Sequence, residues 1–169
     1  MIKKIPNLAT EMRTFFMFPR LHQRVSDAVS KKIGPISLNK KAIGPILFNE
    51  NGRDKDANKT YSTHVMGRFE CKNESCNTKV WTSKMVAIVI RRFTEQKYNA
   101  VVFNQRCKSC NTLGTFRLDE SSYIERVSYR LIKWAGLPQE QMPFEEKTGP
   151  PHERGFCEGC KNGHCQQSS

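Results

Sequence analysis

The sequence predicts an α+β fold: an antiparallel β-sheet with a C-terminal amphipathic helix packed on one face, a short helix before the sheet and a cysteine-bearing knuckle after it. Three observations carry this reading. Two cysteine pairs, Cys71-x4-Cys76 and Cys107-x2-Cys110, flank thirty residues that read as two strands around a tight turn. Beyond them Tyr123, Ile124, Val127, Leu131 and Trp134 recur at helical spacing. A third pair, Cys157-x2-Cys160, follows a polar stretch and is joined by Cys165.

Taken in order, residues 1–18 mix charges with the aromatic run Phe15-Phe16-Met17-Phe18. Leu21, Val25, Ala28, Val29 and Ile33 then predict an amphipathic helix over about 20–32, stopped by Gly34-Pro35. Gly44-Pro45 and the polar run 49–59 predict irregular chain. Residues 1–60 are therefore read as a basic N-terminal segment with a helix and a linker, and 61–165 as the main domain, with its core over 61–136 and its knuckle over 150–165. Strands are expected over about 66–71, 79–93, 98–106 and 112–118, with the turn at Thr94-Glu95-Gln96-Lys97. Tyr98, Ala100 and Val102 alternate with Val101 and Phe103, so both faces of the third strand are apolar and both should be covered. Ser122 and Glu125 read as a capping box, and Gly136 with Pro138 closes the helix. Its stripe should lie on one face of the sheet, leaving the N-terminal helix to cover the other.

A hairpin that returns one close cysteine pair to another supplies four thiolates for a tetrahedral Zn²⁺, here Cys71, Cys76, Cys107 and Cys110. The sheet is thus zinc-ribbon-like, and its core is short enough for a metal staple to matter. His152, Cys157, Cys160 and Cys165 close a second, local Cys3His site, a zinc-knuckle tail. His164 is an alternative to His152, and a second alternative has the tail lend thiolates to the first site. Two Zn²⁺ ions are expected. Catalytic zinc keeps a ligand position open, and eight candidate ligands for two ions leave none, so no enzyme and no small-molecule substrate is expected.

The formal charge of +12 is unevenly spread: +7 over residues 1–60, +7 over 61–136 and −2 over 137–169. With seven thiolates on two Zn²⁺ it stays near about +9. A basic chain suits RNA, and Arg91, Arg92, Arg106, Arg117, Arg126, Arg130 and Lys133 are candidate contacts, with rings such as Tyr98 for stacking. The alternative is a protein-binding adaptor, a chaperone or trafficking factor whose N-terminal helix or sheet face holds a client. Solvated side chains are the plain reading of the row Arg126, Arg130, Lys133. The longest apolar run, Met85 to Ile90, is far below the ~20 residues that cross a bilayer, so no membrane span is expected. Met1-Ile2-Lys3-Lys4 lacks the apolar stretch of a secretory signal, and the expected location is cytoplasmic and/or nuclear.

Gly67-Arg68-Phe69-x-Cys71, Val80-Trp81-x-Ser83-Lys84, the run Tyr98 to Cys110 with its Asn104-Gln105-Arg106-Cys107, and the terminal Pro-His-Glu with Cys-x2-Cys-x4-Cys resemble the 3CxxC-type zinc-finger family, its small fungal members among them. The resemblance runs from about Met17 to Cys165 and implies zinc binding. Related domains occur in receptor-transporting proteins, which assist surface delivery of membrane receptors, and in zygote arrest proteins, which bind messenger RNA. The first pair here is Cys-x4-Cys where the family has Cys-x2-Cys, which widens a knuckle without removing a ligand.

Overall fold

Lys59–Glu70 and Val80–Arg92 pair as a long antiparallel ribbon, and this ribbon is the spine of the molecule. The computed structural model describes residues 13–33, 45–136 and 153–164. Its elements are β1 (Phe15–Phe16), α1 (His22–Ile33), β2 (Leu47–Phe48), β3 (Lys59–Glu70), β4 (Val80–Arg92), β5 (Lys97–Phe103), β6 (Thr115–Leu118), α2 (Glu120–Trp134) and α3 (Glu158–Lys161). One sheet runs β1-β5-β4-β3-β6, with β2 also on β5. β2 pairs in parallel and every other pairing is antiparallel.

β3 begins at Lys59, before the expected 66, because Tyr61 and Thr63 pair with Ile90 and Ile88. Val65 pairs with Val86 but Gly67 pairs with Ser83, so β4 carries an extra residue. This bulge switches the side-chain alternation, and Trp81 and Val86 thereby reach the same face.

That face carries Val65, Phe69, Val86, Ile88, Ile90, Tyr98, Ala100 and Val102, and both helices lie on it. Leu21, Val25 and Val29 from the N-terminal side join Tyr123, Val127, Leu131 and Ile132 of α2 in one core. The expectation that α1 covers the opposite face is corrected here. Arg20 and Arg24 reach Glu120 at the start of α2, at 2.7 and 3.1 Å, and fix the two helices side by side. The opposite face, with Ala87, Val89, Val101 and Phe103, is covered by Cys157 and by the flanking Met17 and Cys160. Burial on both sides of β5 was legible; the identity of the second cover was not.

Two further expectations change. The cap of α2 is Asp119, whose Oδ1 accepts from the Ser122 N–H at 3.0 Å. Ser122 is buried inside the first turn, where its hydroxyl donates to the Asp119 carbonyl and accepts from the Met66 N–H. The stretch read as a linker is instead pinned. Asn99 Nδ2 donates to the carbonyls of Asn49 and Gly52, both at 2.9 Å, and Arg91 donates to the Asp54 carboxylate. Gly52 packs so closely on the Phe93 ring that a side chain there would overlap it.

Candidate metal centre

β3 delivers Cys71 to the end of the ribbon, and the backbone then folds into a knuckle. The Cys71 N–H donates to the Lys79 carbonyl at 2.9 Å and the Cys76 N–H to that of Asn73 at 3.0 Å. Beyond β5 the second knuckle is built alike. The Cys107 N–H donates to the Thr112 carbonyl and the Asn111 N–H to the Cys107 carbonyl, both at 2.8 Å, and Asn111 takes the left-handed conformation at φ 60°. The hydroxyls of Thr78 and Ser109 join the knuckles at 2.6 Å.

All four sulfurs lie within 4.8 Å of one another. Cys71 Sγ is 3.5 Å from Cys110 Sγ and Cys76 Sγ is 3.7 Å from Cys107 Sγ. A tetrahedron with Zn–S bonds of about 2.3 Å has edges of about 3.8 Å, so the cluster fits Zn²⁺. A disulfide, at about 2.05 Å, fits neither pair.

The thiols are polarised unequally. Burial pushes Cys71 up to about 12, and burial also raises Cys76. Cys110 is pulled down to about 6 by the Thr112 hydroxyl and then the Thr112 N–H. Burial opposes ionisation at Cys107, but the N–H groups of Ser109 and Cys110 bring it below the usual thiol value. The thiols of the second knuckle are thus the more readily ionised, and a bound divalent cation would draw the protons from the first knuckle as well.

The residues after β5 brace this centre, and spacing alone did not mark them. Asn104 is fully buried; its Nδ2 donates to the carbonyls of Arg13 and Gly114, and its Oδ1 accepts from the Gln105 N–H. Gln105 accepts from Trp81 Nε1 and donates to Ser83 Oγ. Trp81 stacks on Phe69 at 5.1 Å and borders the sulfur cluster. Arg106 Nε donates to Glu158 at 2.6 Å, tying the second knuckle to α3.

Of the second predicted ligand set, Cys157 is buried, Cys160 is half-buried, and the Cys160 N–H donates to Cys157 Sγ. His152 and Cys165 lie outside the described residues. His164 stacks on Phe103, with Nε2 3.4 Å from Asp54. The predicted basic surface is largely turned to internal use. Arg91 is buried on Asp54, Arg92 donates to the Trp134 carbonyl, Arg106 holds Glu158, and Arg130 lies 3.3 Å over the Tyr61 ring. Arg126 is half-buried on α2, whereas Arg117 and Lys133 are exposed. Tyr98, offered for stacking, is core and holds His22 Nδ1 at 3.0 Å.

A sheet whose two cysteine knuckles meet around a tetrahedral thiolate site defines a zinc-binding domain of zinc-ribbon type. The chain belongs to the 3CxxC zinc-ribbon family, described as a zinc-binding domain, whose profile matches residues 64–163. It is similar to receptor-transporting protein 1 of Homo sapiens, 30% identical over 117 residues that cover 59% of this chain and 42% of that protein. It is similar also to receptor-transporting protein 1 of Mus musculus, 29% identical with the same coverage. The match thus spans about two fifths of the length of these curated relatives. No solved structure matches it. Among the described residues no helix is long and apolar enough to cross a membrane.

Proposed function

We propose that the chain is a non-enzymatic adaptor: a zinc-stapled sheet that holds a client protein, with a trafficking or chaperone role. The observation that carries this is the fate of the basic side chains. An RNA-binding surface needs cations free to meet phosphates, and Arg91, Arg92, Arg106 and Arg130 are committed inside the fold. The similarity to proteins named for receptor transport supports a protein partner.

In this reading Cys71, Cys76, Cys107 and Cys110 hold one Zn²⁺ that fixes the sheet end. Cys157 and Cys160, with Cys165 and His152, hold a second that fixes the cover over β4 and β5. Native mass spectrometry should then give two zinc ions per chain, and one would remove the second site. Crosslinking in cells separates the partner classes. Chemical crosslinking should recover a stoichiometric protein, while ultraviolet crosslinking should recover no RNA above background. The opposite pattern would replace the adaptor with an RNA-binding module.

A further inference from the structure

The sheet face opposite α1 and α2 is covered unevenly. Residues 153–164 cover Ala87 and Phe103, whereas toward β6 the face carries exposed side chains. By register Arg117 stands opposite Arg68, and Arg68 opposite Thr82, so one exposed row crosses three adjacent strands. The next row is Thr115, Glu70 and Val80, of which Val80 is 42% exposed.

Directly opposed side chains on neighbouring strands have Cβ atoms about 4.5–5.5 Å apart, and like charges there repel. Two guanidiniums facing each other therefore work against the fold. Glu70 is beside them but is already engaged by Lys72 at 2.6 Å; that contact foremost, with lesser pulls from Arg68 and Arg117, holds its carboxyl below the usual range. Among the described residues neither Arg68 nor Arg117 has a hydrogen-bonding acceptor, unlike Arg91, Arg92 and Arg106. Among the described residues the pair is partly balanced by the attraction of Glu70 without a hydrogen bond to it, and an external anion would relieve the remaining repulsion.

The neighbourhood indicates which anion. Among the described residues the large exposed apolar side chains are Phe15, Leu47 and Val80; Phe15 pairs with Phe103 and so lies on this face, but on β1 at the opposite edge of the sheet, which leaves no large exposed aromatic ring beside the arginine row for a base to stack on. Arginine forks match carboxylates in two-point geometry, and Val80 beside them offers an apolar rest. We propose that the row Arg117–Arg68–Thr82, with Val80, docks an acidic segment of the client protein, its carboxylates on the two arginines and an aliphatic side chain on Val80. This rests on the adaptor reading and assigns that reading its surface.

The test uses the full zinc-loaded chain and a short fluorescein-labelled peptide alternating glutamate with valine, followed by anisotropy. Arg68→Glu and Arg117→Glu should each weaken binding at least tenfold, with Arg68→Gln and Arg117→Gln intermediate, while Lys31→Glu on α1 leaves it unchanged. Unaltered zinc content and melting temperature confirm folding, and the glutamine variants serve if a reversal does not fold. Equal binding by wild type and variants, or no binding by wild type, overturns the proposal. A uridine oligonucleotide of equal charge that binds tighter than the peptide overturns the partner class. In cells, a client still crosslinked to Arg68→Glu sinks this surface but keeps the adaptor, whereas a wild-type chain that recovers no protein sinks the adaptor itself.

Discussion

Thr112 lies with its hydroxyl 3.3 Å from Cys110 Sγ, and it is the leading reason that this thiol ionises readily. Groups just outside a metal's ligands commonly set affinity by 10–100-fold. Thr112→Val is therefore expected to weaken zinc binding about tenfold while leaving the fold intact, read by competition with a chromophoric chelator. His22 makes a second prediction. Burial holds its pKa below 6.5, against a smaller opposite effect from the Ile46 backbone. Between that lowered value and 6.5 the unfolded chain binds more protons, so this contribution is complete above 6.5 and is lost as pH falls through the folded value. His22→Asn should flatten the dependence of melting temperature on pH in this interval, while any zinc-linked slope is common to both chains; identical slopes would show that the ring does not titrate this way. The cluster of four thiols was legible in the sequence because tight spacing encodes a knuckle. The bracing roles of Thr112, Asn104 and Gln105 were not, since an uncharged side chain, even one within a motif, does not show what it touches until the fold is known.

At the scale of elements, packing decides what periodicity leaves open. The strands of the ribbon and both longer helices could be read from apolar spacing, but α1 has the same stripe whichever face it covers. Its position is set by Leu21, Val25 and Val29 entering the same core as Tyr123, Val127 and Leu131, and Glu120 meets Arg20 and Arg24 alongside, contacts across nearly a hundred residues of chain that no local window contains. The length of β4 suggested a bend or bulge, but its position was hidden for a similar reason: a run that is apolar from Val86 to Ile90 does not reveal where its alternation shifts. The cover on the second face depends on a small residue. A Cβ on Gly159 would collide with the Cβ of Ala87. Gly159→Ala should thus lift α3 from the sheet at a cost of about 2 kcal/mol, as expected for overpacking. Faster alkylation of the buried Cys157 in the variant, measured by intact-mass kinetics, is the expected readout, and unchanged kinetics would contradict the seating of α3.

The whole molecule is a modest core fastened at one end by metal. Structural zinc contributes roughly 10–16 kcal/mol of apparent binding free energy in small domains, comparable to or larger than a domain's net stability. Stripping the metal with a strong chelator under reducing conditions should abolish cooperative thermal unfolding by circular dichroism. It should also red-shift the fluorescence of Trp81, which borders the sulfurs. A chelated chain that keeps a sharp transition would show that the sheet stands unaided. The α+β class and the zinc-ribbon character were visible in the sequence because they rest on counts and spacings. The distribution of work among the arginines was not, because a cation on a surface and one neutralised inside look alike until their neighbours are known.

Asn104 takes hold of the backbone at Arg13, Thr14, Gly114 and Glu158 together. Its bonds join positions that leave the ribosome far apart in time. While residues up to about Leu118 are emerging, the amide can already be shared between the early strand and the β6 entry, but the carbonyl of Asn104 waits for the Glu158 N–H. A nascent chain is therefore expected to stay protease-sensitive along this seam until residue 158 has left the ribosome, closing a clasp begun at residue 13.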